Sequence, residues 1–183
     1  MAKNKRNIDL DVKKKELEET AARLFMEDGF EATSMNRISR ALGVAPNTLY
    51  WYYASKDELL VGVLNRLLSD TLKQIPSVTG KPLKEQMDWA LKQFEQSRAL
   101  MTTVHSRLNQ SPVIHDWHEQ FHSFVETLVV RSLKANGIGD QRAGTLATVA
   151  IFLIEGLLAH PHSEKQRTDI LEWFAQHTAA DQE

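Results

Sequence analysis

The sequence predicts an all-α protein of about nine helices. Three observations carry this: apolar residues recur at helical spacing almost throughout, nothing alternates with a period of two, and few runs are β-branched. In the first helix Leu10, Leu17, Ala21, Leu24 and Phe25 share one side, and Gly29 ends it. Thr33 or Ser34 caps a short second helix that turns Met35, Ile38 and Leu42 inward. Gly43 breaks that pattern, and a third short helix begins near Ala45-Pro46, since proline is tolerated in a first turn. Ser55-Lys56-Asp57-Glu58 reads as a capping box opening a fourth helix, which runs toward Gln74 and stops before Pro76.

After the loop 77–82, one helix runs from about Pro82 into the nineties and another to about Leu108. Ser111-Pro112 restarts the chain as cap plus proline, giving a long helix to about Asn136 that Gly137 terminates. Asp140 is expected to cap the next helix, which ends before Pro161. Ser163 to Gln166 form a second capping box, and the last helix carries Ile170, Leu171, Trp173 and Phe174.

The 183 residues suffice for one or two compact units, and 42% apolar with 25% charged residues is ordinary globular composition. With no cysteine, disulfides and thiolate metal sites are excluded, which fits a reducing cytoplasm. The basic start, Met1 to Arg6, is not followed by the apolar run of a signal peptide. The apolar stretch Ala147 to Ala159 is interrupted by Thr148 and Glu155 and is too short for a bilayer, so a soluble, cytoplasmic protein is expected. Net charge is -2; residues 1–56 carry ten Lys or Arg against eight Asp or Glu, leaving +2 there and -4 elsewhere. That asymmetry is too small to announce nucleic acid, so a DNA-binding reading rests on a motif.

The motif lies between Thr33 and Leu60. Two short helices around a glycine turn are what a helix-turn-helix requires, with Gly43 supplying the left-handed corner and Val44 packing back between them. The third helix is then free to enter a major groove. It carries Leu49, Tyr50, Trp51, Tyr52 and Tyr53 in succession, each turned about 100° from the last, so a helix this short cannot bury them all. Leu49 and Tyr53 go to the core; Tyr50 is expected to pack partly and Tyr52 to stay outside, with hydroxyls and the indole as donors to phosphate.

Thr33-Ser34, Ile38, Gly43-Val44, Thr48-Leu49-Tyr50 and Ser55-Lys56 with Leu59 resemble the signature of TetR-type regulators over about residues 12–64. The resemblance implies a helix-turn-helix DNA-binding domain over 1–56 and a helical effector-binding and dimerisation domain over 57–183. It implies that Thr48, Tyr50 and Lys56 grip phosphates, with Tyr52 standing where the family usually has His. Ala45, Pro46, Asn47 and Trp51 would face bases, and Ser34, Asn36 and Arg37 would approach from the second helix. Asn47 replaces a frequent Gly, and Tyr53 a Phe. The basic residues Lys3, Lys5 and Arg6 are expected to form a solvated tail.

Such a domain needs doubling on a two-fold axis to read a palindromic operator. Ala143, Ala147, Ala150, Ile151, Ile154 and Leu158, with Ile170 and Phe174, form a stripe expected to be the homodimer interface; the plainer alternative is internal core. A small hydrophobic effector would bind among Trp89, Phe94, Met101, His105, Trp117, Phe121, Phe124, Phe152 and Glu155, unless these simply fill the core. Glu155, alone in an apolar helix, is expected to find a histidine or hydroxyl partner on another helix, the alternative being a cationic ligand. The sequence shows no Gly-rich phosphate loop, nucleophile elbow or coupled Ser and His, so no enzyme chemistry and no cofactor are expected. The leading reading is a repressor released by its effector. The alternative is an all-α enzyme or metal-binding bundle using the stripe His115, His118 and His122, although a polar stripe opposite a core face is ordinary for a surface helix.

Overall fold

A computed structural model describes the backbone of residues 2–179 and the side chains of residues 10–178. Among the described residues there are nine α-helices and no strand: α1 (Ala2–Glu27), α2 (Met35–Leu42), α3 (Pro46–Tyr52), α4 (Lys56–Leu72), α5 (Leu83–Gln96), α6 (Arg98–Arg107), α7 (Pro112–Ala135), α8 (Asp140–Ala159) and α9 (Glu164–Ala179). α1 runs through Lys3, Lys5 and Arg6, where a tail was expected; their side chains lie outside the described residues. α4 stops at Leu72, and Ile75–Ser77 form a short 3-10 turn containing the proline.

Local chemistry explains the boundaries. Ser34 caps α2, accepting a hydrogen bond from the Arg37 amide at 3.2 Å, an interaction worth about 1 kcal/mol. Ser55 caps α4 through the Glu58 amide at 3.1 Å; the Glu58 carboxylate closes the box on the amide of Ala54, one residue earlier than expected. Ser163 and Gln166 form the reciprocal pair at α9. At α8 the cap is Gly139 rather than Asp140, and it offers no side-chain bond.

The chain divides into two compact units, one of Met1–Asp70 with Ala99–His118, the other of Thr71–Arg98 with Glu119–Glu183. In the first, the expected face of α1 (Leu17, Ala21, Leu24, Phe25) is buried with Ile38 of α2, Leu49 of α3 and Leu59, Leu60 and Val63 of α4. Leu10, Leu42 and Val44 are only half-buried. The rings of Phe25 and Phe30 meet with centroids 5.0 Å apart.

In the second unit Met87, Leu91, Ala150, Leu157, Leu171 and Phe174 form one core cluster, and Leu133, Ile138, Ala143 and Ala147 another. Part of the expected dimer stripe lies in these clusters. Ala143, Ala147, Ala150 and Phe174 are buried within their own protomer and offer a second copy no surface; small side chains let helices of the same unit approach closely. Ile151, Ile154 and Leu158 are half-buried. The apolar residues left outside α8 and α9 are Val149, Phe152, Ile170 and Trp173. Taken whole, α8 is long and apolar enough, by length and composition, to cross a bilayer, which the stretch from Ala147 alone is not.

Candidate nucleic-acid interface

The corner before α3 is built as the sequence demands. Gly43 adopts φ +67°, its amide and that of Val44 return to the carbonyls of Arg40 and Ser39, and Ala45 leaves the corner extended. Pro46 then sets the first turn of α3 without needing a donor. Leu49 is fully buried, and a turn later Tyr53 closes the helix with its amide on the Leu49 carbonyl at 3.0 Å.

What pins α3 from behind was not legible in the sequence. The Tyr53 hydroxyl donates to the carboxylate of Glu18, which is 4% exposed, and Arg66 Nε meets the other oxygen at 2.6 Å. Burial, then the hydrogen bond to Glu18, pushes the Tyr53 hydroxyl far above its ordinary range, so it stays a donor. Gly62 faces the same ring: a Cβ there would lie 2.6 Å from Tyr53 Cζ. The one available signal was an acid, Glu18, placed beside the apolar residues of α1.

The outward side of α3 differs from expectation in one exchange. Trp51 is 69% exposed and Tyr50 49%, whereas Tyr52 is half-buried with its ring edge-on to Trp51 at 4.8 Å. Tyr52 stands about 60° around the helix from buried Leu49 and Tyr50 about 100°, so Tyr52 is the nearer to the core. Ala45, Pro46, Asn47 and Thr48 are exposed, as are Ser34, Asn36 and Arg37 of α2. The Arg37 guanidinium pairs with Asp28. Arg40, exposed in the last turn of α2, was missed as a candidate although its charge and position were readable.

Lys56 is engaged within the protein. Its ammonium donates to the Phe30 carbonyl at 2.7 Å, lies 4.1 Å from the Phe30 ring centroid, and pairs loosely with Glu31. Burial lowers its pKa despite that acid. Beside it Arg107 grips Asp57 with two bonds of 3.0 Å and reaches Glu31 at 2.9 Å. Burial alone would raise the Asp57 pKa, but the hydrogen bonds from Arg107 and Ser111 hold it below the usual carboxylate range. This ionic cluster, joining the loop after α1 to the start of α4 and the end of α6, was also unforeseen.

The expected effector residues scatter. Met101, His105 and Trp117 belong to the first unit, where Trp117 is buried and its indole donates to Asn65 Oδ1 at 2.8 Å. Trp89, Phe94, Phe121, Phe124, Phe152 and Glu155 belong to the second. Phe152, 66% exposed, and Phe124 face outward rather than into a cavity. Phe94 and Phe121 meet edge-to-face at 6.1 Å, Phe121 stands against His122, and His122 Nε2 pairs with Glu155 Oε1 at 3.2 Å. The hydrogen bond to Glu155 raises the His122 pKa against the opposing effect of burial. Trp89 borders a cleft of about 370 Å³ with Lys84, Asp88, Arg167 and Leu171. Of the histidine stripe, His115 is exposed beside Asp116 and His118 packs edge-on against His105.

Residues 18–63 match the model of the TetR family of bacterial regulatory proteins. An HTH-type transcriptional regulator of Staphylococcus aureus is 39% identical over 62 residues, 34% of each chain, so the match spans about a third of that relative. The regulator YxaF of Bacillus subtilis is 24% identical over 83% of this chain and 86% of its own. BioQ, solved with its natural double-stranded DNA operator, superposes with a TM-score of 0.59 at 22% identity, covering 91% of this chain and 98% of BioQ. Residues 18–63 of this chain are thus a helix-turn-helix of the TetR type.

Proposed function

We propose that the protein is a ligand-responsive, DNA-binding transcriptional regulator of the cytoplasm, not an enzyme, acting as a homodimeric repressor on a palindromic operator. One observation carries the reading: α3 leaves Tyr50 and Trp51 in solvent while Tyr53 anchors it from behind. Exposed aromatics that the core does not use need a partner. Thr48, Tyr50 and Tyr52 are assigned to phosphates, and Ala45, Pro46, Asn47 and Trp51 to base edges. Ser34, Asn36, Arg37 and Arg40 approach from α2, because the first helix of such a motif crosses the backbone. Lys56 instead holds the start of α4.

The second copy is assigned to the outer face of α8 and α9, where Val149, Phe152, Ile170 and Trp173 remain uncovered. Burying one such side chain contributes about 1.5–3 kcal/mol. A small hydrophobic effector is assigned to the aromatic side of Phe94 and Phe121, with the His122–Glu155 pair meeting any polar group it bears. Effector binding would favour a state whose paired α3 helices no longer match successive half-sites.

The test is binding to a fragment upstream of the protein's own gene, followed by fluorescence anisotropy across a salt series. A protected palindrome and affinity falling steeply with salt are expected, with both lost in a Thr48→Ala/Trp51→Ala variant that remains folded. No protection on any fragment, at any salt, would sink the regulator reading.

A further inference from the structure

Base recognition has a limited vocabulary. Guanine is read chiefly by Arg or Lys, cytosine by Asp or Glu, adenine by Asn or Gln, and thymine by apolar contact with its methyl group. Between Arg40 and Lys56 the chain carries no Lys or Arg, and between Glu31 and Asp57 no Asp or Glu. The reading helix therefore owns no guanine reader and no cytosine reader. It owns one carboxamide, Asn47, which is exposed in the first turn. Asn47 and Trp51, neighbours four residues apart, fall on the side of α3 opposite buried Leu49, with Tyr50 on its flank. Ala45 and Pro46 add exposed apolar surface before them.

The cations nearest this face do not alter that vocabulary. Arg37 is engaged by Asp28, Arg40 ends α2 rather than lying on α3, and Lys56 is held by the Phe30 carbonyl.

We propose that α3 selects A·T base pairs at the core of each half-site, Asn47 bonding the N6 and N7 edge of an adenine while Pro46 and Trp51 pack on thymine methyl groups. This rests on the regulator reading and specifies what that face binds. Thr48 can bond any base or a phosphate and adds no preference.

The experiment is selection of duplexes from a random-sequence pool by the full-length protein, repeated with Asn47→Ala. The wild type is expected to return a palindrome whose half-sites share A·T pairs, and Asn47→Ala to lose preference at one adenine with at least about a fivefold fall in affinity. Replacing the core thymines by uracil removes only the methyl groups and is expected to weaken binding about fourfold per contacted methyl. Trp51→Ala should abolish part of that uracil effect, which a merely structural role would not do. Salt-sensitive retention of duplexes with an obligatory G·C core, or indifference to uracil at every position, overturns the proposal while leaving the regulator standing. Failure to retain any duplex overturns both.

Discussion

α3 and α8 each carry more apolar surface than one face can bury, and each leaves large side chains outside, though they differ in what they send inward. α3 sends inward only Leu49, with Tyr53 at its end, and leaves its large rings, Tyr50 and Trp51, in water. α8 sends inward chiefly small residues, Ala143, Ala147 and Ala150, with Leu157 near its end, and leaves Val149 and Phe152 outside. A small-residue stripe marks where helices come close, but it does not say whose helix comes. The large residues remaining on the other side are the better guide to what an isolated protomer lacks.

Breaking the anchor behind α3 is expected to have the largest effect. Glu18→Ala leaves Arg66 and the Tyr53 hydroxyl without their shared acceptor in a buried setting and should cost about 3 kcal/mol, read as a fall in the denaturation midpoint with DNA binding lost alongside. An unchanged midpoint would mean that α3 is held by Leu49 alone. Overfilling the inner side of α8 comes next: Ala147→Leu should destabilise the protomer by about 1–3 kcal/mol, whatever its state of association. If instead it dissociates a dimer at constant stability, the stripe belongs between copies after all. On the outer side, Phe152→Glu with Trp173→Glu should turn a dimer into a monomer by light scattering while barely moving protomer stability.

The smallest effect is electrostatic. The His122 pKa is raised by Glu155, so the pair stabilises the fold below the imidazole's ordinary pKa and loses that contribution as pH rises through the folded value. Both side chains are partly solvated, which limits the effect to below about 1 kcal/mol. Stability measured from pH 6 to pH 9 should show this decline, and Glu155→Gln should flatten it.

Local signals made most of the fold readable. Gly43, Pro46, Ser34 and the two capping boxes act within a few residues, and the structure honours them. The failures share a cause. Glu18 with Arg66, and Asp57 with Arg107, join residues 48 and 50 positions apart, and no periodicity reports such pairs. The same holds for the inward turn of the α8 stripe, because periodicity shows that a helix has an apolar face but not which neighbour covers it. Of the candidate DNA contacts, those on α3 came from the resemblance, and helix geometry gave only that its aromatic run could not all be buried. The bond from Lys56 to the Phe30 carbonyl was not foreseen, because Phe30 lies on a loop that no motif marks.

Gly62 stands in an ordinary helical backbone, yet the ring of Tyr53 occupies the space a methyl group would need. Position 62 is thus a gate on heredity: a mutation that any other turn of α4 would absorb here evicts the tyrosine holding the reading helix. Randomised and selected for operator binding, that codon should return glycine nearly unaccompanied, while exposed Ser69 drifts freely by comparison.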